Sequence, residues 1–282
     1  MAPQEFQRLR EGKIPVGRDD RSVEQQVAAS KDLMLIPPSA GPGGENAHPP
    51  EWPGGHPSGV YRNEYRQLLA RIIGAYGSSP LIRSYCKVRF TIININILHI
   101  LSLCLRGKRR VLELGCGFGM FGCYFAAMYP EIEYLGIDLA PNRIKAARKA
   151  AAHLGLNNMR FECIDVRELS LEDQYDAILV IDLLHHIDDR SKVALLATCA
   201  ANLSRNGRLI IKDINTHPWW RLAFTWALDV GMTRGFDMWY WNEEKFYAAL
   251  REHFNRIDTF PIADLLPYPH IVYLGENFSQ AG

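Results

Sequence analysis

The stretch VLELGCGFGMFG, residues 111–122, places glycines at 115, 117 and 119 directly after an apolar run. Glycine suits a backbone that turns tightly while a ligand comes close to it. A helix opening just beyond the turn adds free N–H groups and a partial positive charge. Gly117-x-Gly119-x-x-Gly122 also satisfies the dinucleotide fingerprint, so the loop alone leaves the ligand open, and a purely structural turn remains an alternative. Acids close the apolar runs that follow: Asp138, Asp165, Asp182 and, after Lys212, Asp213. Asp182 leads into Leu183-Leu184-His185-His186-Ile187-Asp188. A histidine with its near-neutral pKa can serve as general base or orient a substrate. Either of His185 and His186 can equally cap or pack against the next helix.

These residues need a scaffold, and the chain alternates short apolar runs with helical segments. Residues 109–115, 131–138, 159–165, 175–182 and 207–213 read as strands. The first is followed by a helix through Tyr129, the second by one with Pro141 suited to its first turn, and the fourth by SKVALLATCAANLS. Continuous apolar strands separated by helices imply a parallel sheet covered on both faces. The end differs: EEKFYAALREHF is a helix, then RIDTFPI and HIVYLGE form an antiparallel pair joined by LLPYP. Carboxyl ends of such strands are where ligands bind, so the acids and histidines above converge on one edge.

The run Glu113-Leu-Gly-Cys-Gly-Phe-Gly119, with an acid two residues before the first glycine, resembles the signature loop of class I S-adenosylmethionine-dependent methyltransferases, small-molecule type. The resemblance covers roughly residues 107–276. It implies an α/β fold: a doubly wound, mostly parallel seven-stranded sheet with an antiparallel last strand inserted beside the fifth, Rossmann-like, plus an N-terminal helical cap. It implies S-adenosylmethionine as cofactor and S-adenosylhomocysteine as product. Glu113, Gly115, Gly117 and Gly119 would hold the cationic aminoacyl end, directly or through water; a surface acid at a strand end is the other reading of Glu113. Asp138, with Leu139, would receive the ribose, an acid shared with nicotinamide folds. Asp165 and the N–H of Val166 would face the adenine, unless Asp165 is a turn cap. Asp182 would hold the aminoacyl end or shape the pocket, and His185 and His186 are the catalytic candidates.

The aromatics His217-Pro218-Trp219-Trp220 and Met238-Trp239-Tyr240-Trp241 flank an amphipathic segment where an acceptor pocket is expected. Aromatic walls suit a hydrophobic or cationic acceptor, and each aromatic alone can simply pack the insertion onto the sheet. Tyr61, Tyr65 and Tyr85 are candidates to line a cap.

Lysines and arginines number 32 against 31 acids, a formal net charge of +1, without the basic bias of a nucleic-acid binder. No Asn-Pro-Pro-Tyr-like sequence follows the fourth strand. Nucleic-acid acceptors are therefore not expected, and a small-molecule acceptor is. The six cysteines show neither a Cys-x-x-Cys pair nor zinc-type spacing; they read as buried free thiols, with no metal site. The opening residues do not resemble a signal peptide, and a cytoplasmic location is expected. Residues 91–105, TIININILHILSLCL, are too short to span a bilayer and read as part of one core helix from about Leu81 to Leu105; peripheral membrane contact is the alternative. Basic residues nearby, including Arg83, Lys87, Arg89 and Lys108, suit an acidic lipid or acceptor, or a solvated face.

Three segments are expected: a disordered arm over 1–58, dense in proline and glycine; a helical cap over 59–106; and the cofactor-binding domain over 107–282, with an acceptor-pocket insertion near 214–241. Two other functions compete. One is a catalytically silent cofactor-binding partner subunit, against which Glu113, Gly115, Gly117, Asp138 and Asp165 all stand intact. The other is a nicotinamide-dependent oxidoreductase, against which Glu113 and the reversed last strand speak.

Overall fold

In a computed structural model the described residues are 59–77, 79–171, 174–214, 216, 239–262 and 268–277. The expected arm, the Trp219-Trp220 end of the insertion and Met238 lie outside them. Chain packing divides after Gln67, and residues 68–282 form one unit.

The helices are α1 (Gly59–Ala75), α2 (Pro80–Ile92), α3 (Ile95–Leu105), α4 (Met120–Met128), α5 (Pro141–Leu154), α6 (Asp189–Ala201) and α7 (Glu243–Arg251). The strands are β1 (Arg110–Leu114), β2 (Glu133–Asp138), β3 (Met159–Cys163), β4 (Tyr175–Ile181), β5 (Leu203–Ile214), β6 (Arg256–Ile262) and β7 (His270–Glu276). They form one seven-stranded sheet in the order β3-β2-β1-β4-β5-β7-β6. The first five strands are parallel. β7 runs antiparallel to β6, as the residues predict, and to β5, as the family resemblance implies.

The two faces are built differently. Leu112, Leu114, Ile178, Val180, Leu209 and Ile211 pack with Leu195 and Leu196 of α6 and Phe246 and Leu250 of α7. On the opposite face Tyr134 stacks with Phe125 of α4, centroids 6.5 Å apart, and Phe90 of α2 meets Phe121 edge-on at 5.6 Å. Each aromatic pair contributes roughly 0.5–1.5 kcal/mol beyond its area.

Three expectations need correction. Residues 80–105 form two helices, bent by 79°, because Asn94 stops the first and caps the second, its Oδ1 accepting from the N–H groups of Asn96 and Ile97. A side chain that satisfies free N–H groups starts a new helix. No single described helix is long and apolar enough to cross a membrane. The fifth strand begins at Leu203, four residues earlier than expected, with a register irregularity opposite Tyr175 and Ala177. Among the cysteines, Cys163 is exposed; the other five are buried.

Candidate active site

The glycine loop runs from the end of β1 into α4. Its glycines at 115, 117 and 119 all have positive φ, between +56° and +72°. Two show what this conformation serves. At Gly119, which caps α4, a side chain would strike the Phe161 ring at 2.4 Å. At Gly117 a Cβ would meet nothing within 4 Å, so the backbone there lies open to a ligand.

Asp138, at the end of β2, holds this loop. One carboxylate oxygen accepts the N–H of Gly117 and the other that of Ala140, each at 2.9 Å. A carboxylate has roughly four lone-pair sites, so acceptor capacity remains for two hydroxyls. Leu139 beside it is 60% exposed, an apolar surface fit for a flat ring. The open backbone, the acid with spare acceptor capacity and the uncovered leucine together fit an adenosyl ligand.

Glu113 lies beneath the loop. It is buried and accepts a 3.0 Å hydrogen bond from the Tyr134 hydroxyl. Burial pushes its pKa up to about 7; the Tyr134 hydrogen bond opposes the shift and Asp138 adds to it. It is therefore an interior acid, not a surface one. Asp165 caps the short 3₁₀ turn Val166–Glu168, accepting from the N–H of Arg167, and pairs with the Arg167 guanidinium. Cap and ion pair use the carboxylate locally, as the turn-cap alternative expected; Val166 lies in that turn.

The cap helices reach this loop. The Tyr76 hydroxyl donates to the Phe118 carbonyl at 2.7 Å, and Tyr85 meets the Phe118 ring edge-on at 5.1 Å. Tyr85 thus packs beside the glycine loop.

At the ends of β4 and β5 the side chains form two ionic groups. Asp182 adopts φ of +50°, unusual outside glycine. Its Oδ2 pairs with Arg89 of α2 at 2.8 Å and its Oδ1 with Lys212 of β5. Desolvation opposes its charge, but Lys212 and then Arg89 hold the carboxyl well below its usual range. Asp182 therefore shapes the turn, and Arg89, only 14% exposed, is no part of a solvated face. Sequence reasoning did not single out the Arg89–Asp182–Lys212 group. The available signal was Lys212 itself, a charge inside the apolar strand GRLIIKD, which needs a partner when buried.

The second group centres on His185, buried, with Nδ1 2.6 Å from Asp213 Oδ1. Its ring lies 4.2 Å from that of His186 and stacks on Tyr240 at 5.4 Å. His186 reaches the surface, yet desolvation by its surroundings and then the neighbouring His185 hold its pKa down to about 4, so it is neutral at pH 7. The chain re-enters this group after the insertion by firm anchors. The Trp239 N–H donates to the His185 carbonyl, Lys192 of α6 donates to the Trp239 carbonyl, and Trp241 Nε1 donates to Asp189 at 2.6 Å. Trp241 thus packs the insertion's end onto the sheet.

Known proteins resemble the chain in sequence and in fold. Residues 111–207 match the family model of a methyltransferase domain. The chain is 28% identical over 165 residues to a ubiquinone biosynthesis O-methyltransferase of Rhodopseudomonas palustris (strain TIE-1), covering 55% of this chain and 59% of that protein. The chain thus spans less than two thirds of that relative's length. The fold is shared with a magnesium protoporphyrin IX methyltransferase from Synechocystis PCC 6803, solved with bound S-adenosylhomocysteine (TM-score 0.54, 20% identity, 78% and 97% of the two chains covered). It is shared too with an O-methyltransferase family protein from Burkholderia thailandensis (TM-score 0.58, 15% identity, 79% and 70% covered). Over residues 111–207 the chain thus resembles a methyltransferase domain, carried on the fold of these solved methyltransferases.

Proposed function

We propose that the chain moves a methyl group from S-adenosylmethionine to an O, N or C atom of a small-molecule acceptor, with oxygen favoured because the curated relatives are named O-methyltransferases. The observation that carries this reading is the open backbone at Gly117 above the Asp138 carboxylate. When bound, the cofactor supplies an already activated methyl, so the protein's task is chiefly orientation. The glycine loop, Asp138 and Leu139 receive the donor. Glu113, beneath the loop, supplies negative potential to its cationic end. Asp165 and Val166 flank the adenine. Asp182, neutralised by Arg89 and Lys212, fixes the turn after β4.

An acceptor hydroxyl has a proton to lose. With Nδ1–H donated to Asp213, His185 would keep Nε2 as its basic atom, and neutral His186 is the exposed member of the pair. Both remain the proposed catalytic residues. We further assign 59–106 as the cap, 107–282 as the catalytic domain and the segment near 214–241 as the acceptor-pocket insertion.

The test is titration calorimetry with S-adenosylhomocysteine, with NADH in parallel. Binding of the former alone is expected, followed by turnover in an acceptor screen with labelled donor. Binding of NADH alone overturns the reading. Cofactor binding with no turnover on any acceptor would favour the silent subunit. His186→Ala with unchanged turnover would remove that residue from catalysis.

A further inference from the structure

His270 begins β7, opposite Ile214 of β5 on one side and Ile262 of β6 on the other. Because β7 is reversed, its first residue lies at the carboxyl edge of the parallel strands, the edge that carries Asp182 and Asp213. The imidazole is only 2% exposed, and among the described residues neither Nδ1 nor Nε2 has a hydrogen-bond partner. The backbone of Ile92 exerts a weak pull on its proton without meeting hydrogen-bond geometry. Tyr268 stacks on the ring, centroids 5.3 Å apart and planes within 6°. Thr216, two residues past the end of β5, has a buried hydroxyl oxygen that also lacks a partner among the described residues. β5 and β7 are antiparallel, so these two orphaned side chains belong to the same corner of the sheet edge.

Native proteins leave few buried polar atoms unpaired, because each forgoes the hydrogen bond it made to water. Three at one corner of a ligand-binding edge point to a partner that arrives with the ligand. Its chemistry follows from the atoms. Desolvation and then Lys212 hold His270 neutral, its pKa lowered to about 2, with Asp182 opposing and Arg89 adding to the shift. A neutral imidazole presents one donor and one acceptor, and a threonine hydroxyl presents both as well. Arg89 and Lys212 are already committed to Asp182. The matching group is an uncharged hydroxyl, which donates and accepts at once.

We propose that His270 and Thr216 form a hydrogen-bonding subsite for a hydroxyl group of the methyl acceptor, and that this subsite favours hydroxylated acceptors over their methyl ethers. The proposal rests on the methyltransferase reading above and extends it to substrate selection. A site built to hydrogen-bond a hydroxyl rejects an analogue lacking it, because its own polar atoms then stay unpaired.

The test uses the full chain labelled with 15N-histidine and loaded with S-adenosylhomocysteine, titrated with catechol or with 1,2-dimethoxybenzene. Catechol should shift the His270 ring nitrogens and bind at least tenfold more tightly than the ether. His270→Phe should lose that preference, and His270→Gln, which keeps a donor and an acceptor, should recover part of it. Thr216→Val should lessen it. Cofactor affinity should be the same in all variants, which shows them folded. No shift at His270 with catechol, or a preference retained in His270→Phe, overturns the proposal; the second result would assign the orphaned atoms to a trapped water. Failure of S-adenosylhomocysteine to bind counts instead against the methyltransferase reading, and repeating the catechol titration without it keeps the two failures apart.

Discussion

The carboxyl edge of the sheet has two halves of different make, which we propose recognise donor and acceptor by different means. At β1 and β2 the contact surface is main chain: glycines at positive φ, their N–H groups, and one acid that ties the loop down. At β4, β5 and β7 it is made of buried ionisable side chains from separate parts of the chain: Arg89 with Asp182 and Lys212, His185 with Asp213, and His270. A donor that is always the same molecule can be held by backbone geometry. An acceptor has to be distinguished from its relatives, and side chains do that. The first half leaves no room for a side chain at Gly115 and Gly119; the second tolerates no lost partner.

Breaking each half should therefore hurt in a different currency. The largest loss is expected for Asp182→Ala, which leaves buried Lys212 and half-buried Arg89 without their counter-ion and should cost about 3–5 kcal/mol of stability in denaturant unfolding. An effect below 1 kcal/mol would mean that Arg89 and Lys212 find water when the carboxylate is gone.

Glu113 sharpens the contrast, since it is the more deeply buried of the two acids in the donor half. Its folded pKa, about 7, is raised above the ordinary 4.5, so the folded chain binds the extra proton between those values. The stability this brings is fully present below pH 4.5 and is lost as pH rises through 7, a total of about 3 kcal/mol from the size of the shift. Glu113→Gln should flatten the stability profile across that window. A profile unchanged by the substitution would show that Glu113 ionises normally.

On the ligand side, Asp138→Ala should weaken S-adenosylhomocysteine binding by about 2 kcal/mol, roughly thirtyfold, through loss of a charged acceptor. Unchanged affinity in calorimetry would remove Asp138 from the site. The smallest effect is expected for Gly117→Ala. Nothing obstructs the methyl group, so only the left-handed backbone resists it, by about 1–2 kcal/mol. The melting temperature should fall modestly. A drop in cofactor affinity larger than the drop in stability would show that the ligand packs on that backbone.

The same division explains what could be read from the chain. The alternating strands and helices, the terminal antiparallel pair and the glycine loop were legible because local spacing encodes them: strand, Gly-x-Gly-x-Gly, helix, and an acid at the next strand end. The place of β7 beside β5 was implied only by the family resemblance. The break at Asn94 was visible as a polar interruption, but whether it bends a helix or sits inside one depends on which N–H groups the side chain finds. The pairing of Arg89 with Asp182 spans 93 positions, and no local pattern announces it. Likewise nothing near His185 marks Asp213 as its partner, since strand-end acids are common. Glu113 was read as a contact or a surface acid. Its burial against Tyr134 follows from β1 and β2 lying side by side, with Glu113 two residues along from the Val111–Tyr134 pair and so on the same face.

The position of β7 has a consequence for how the chain is made. Of the seven described strands it is the last to be synthesised, yet it lies inside the sheet, flanked by β5 and β6. Until it emerges, β5 has an open edge and β6 has no neighbour, so the nascent domain waits with unpaired backbone exposed. Synthesis delivers the glycine loop with the first strand of the sheet and His270 only with the seventh.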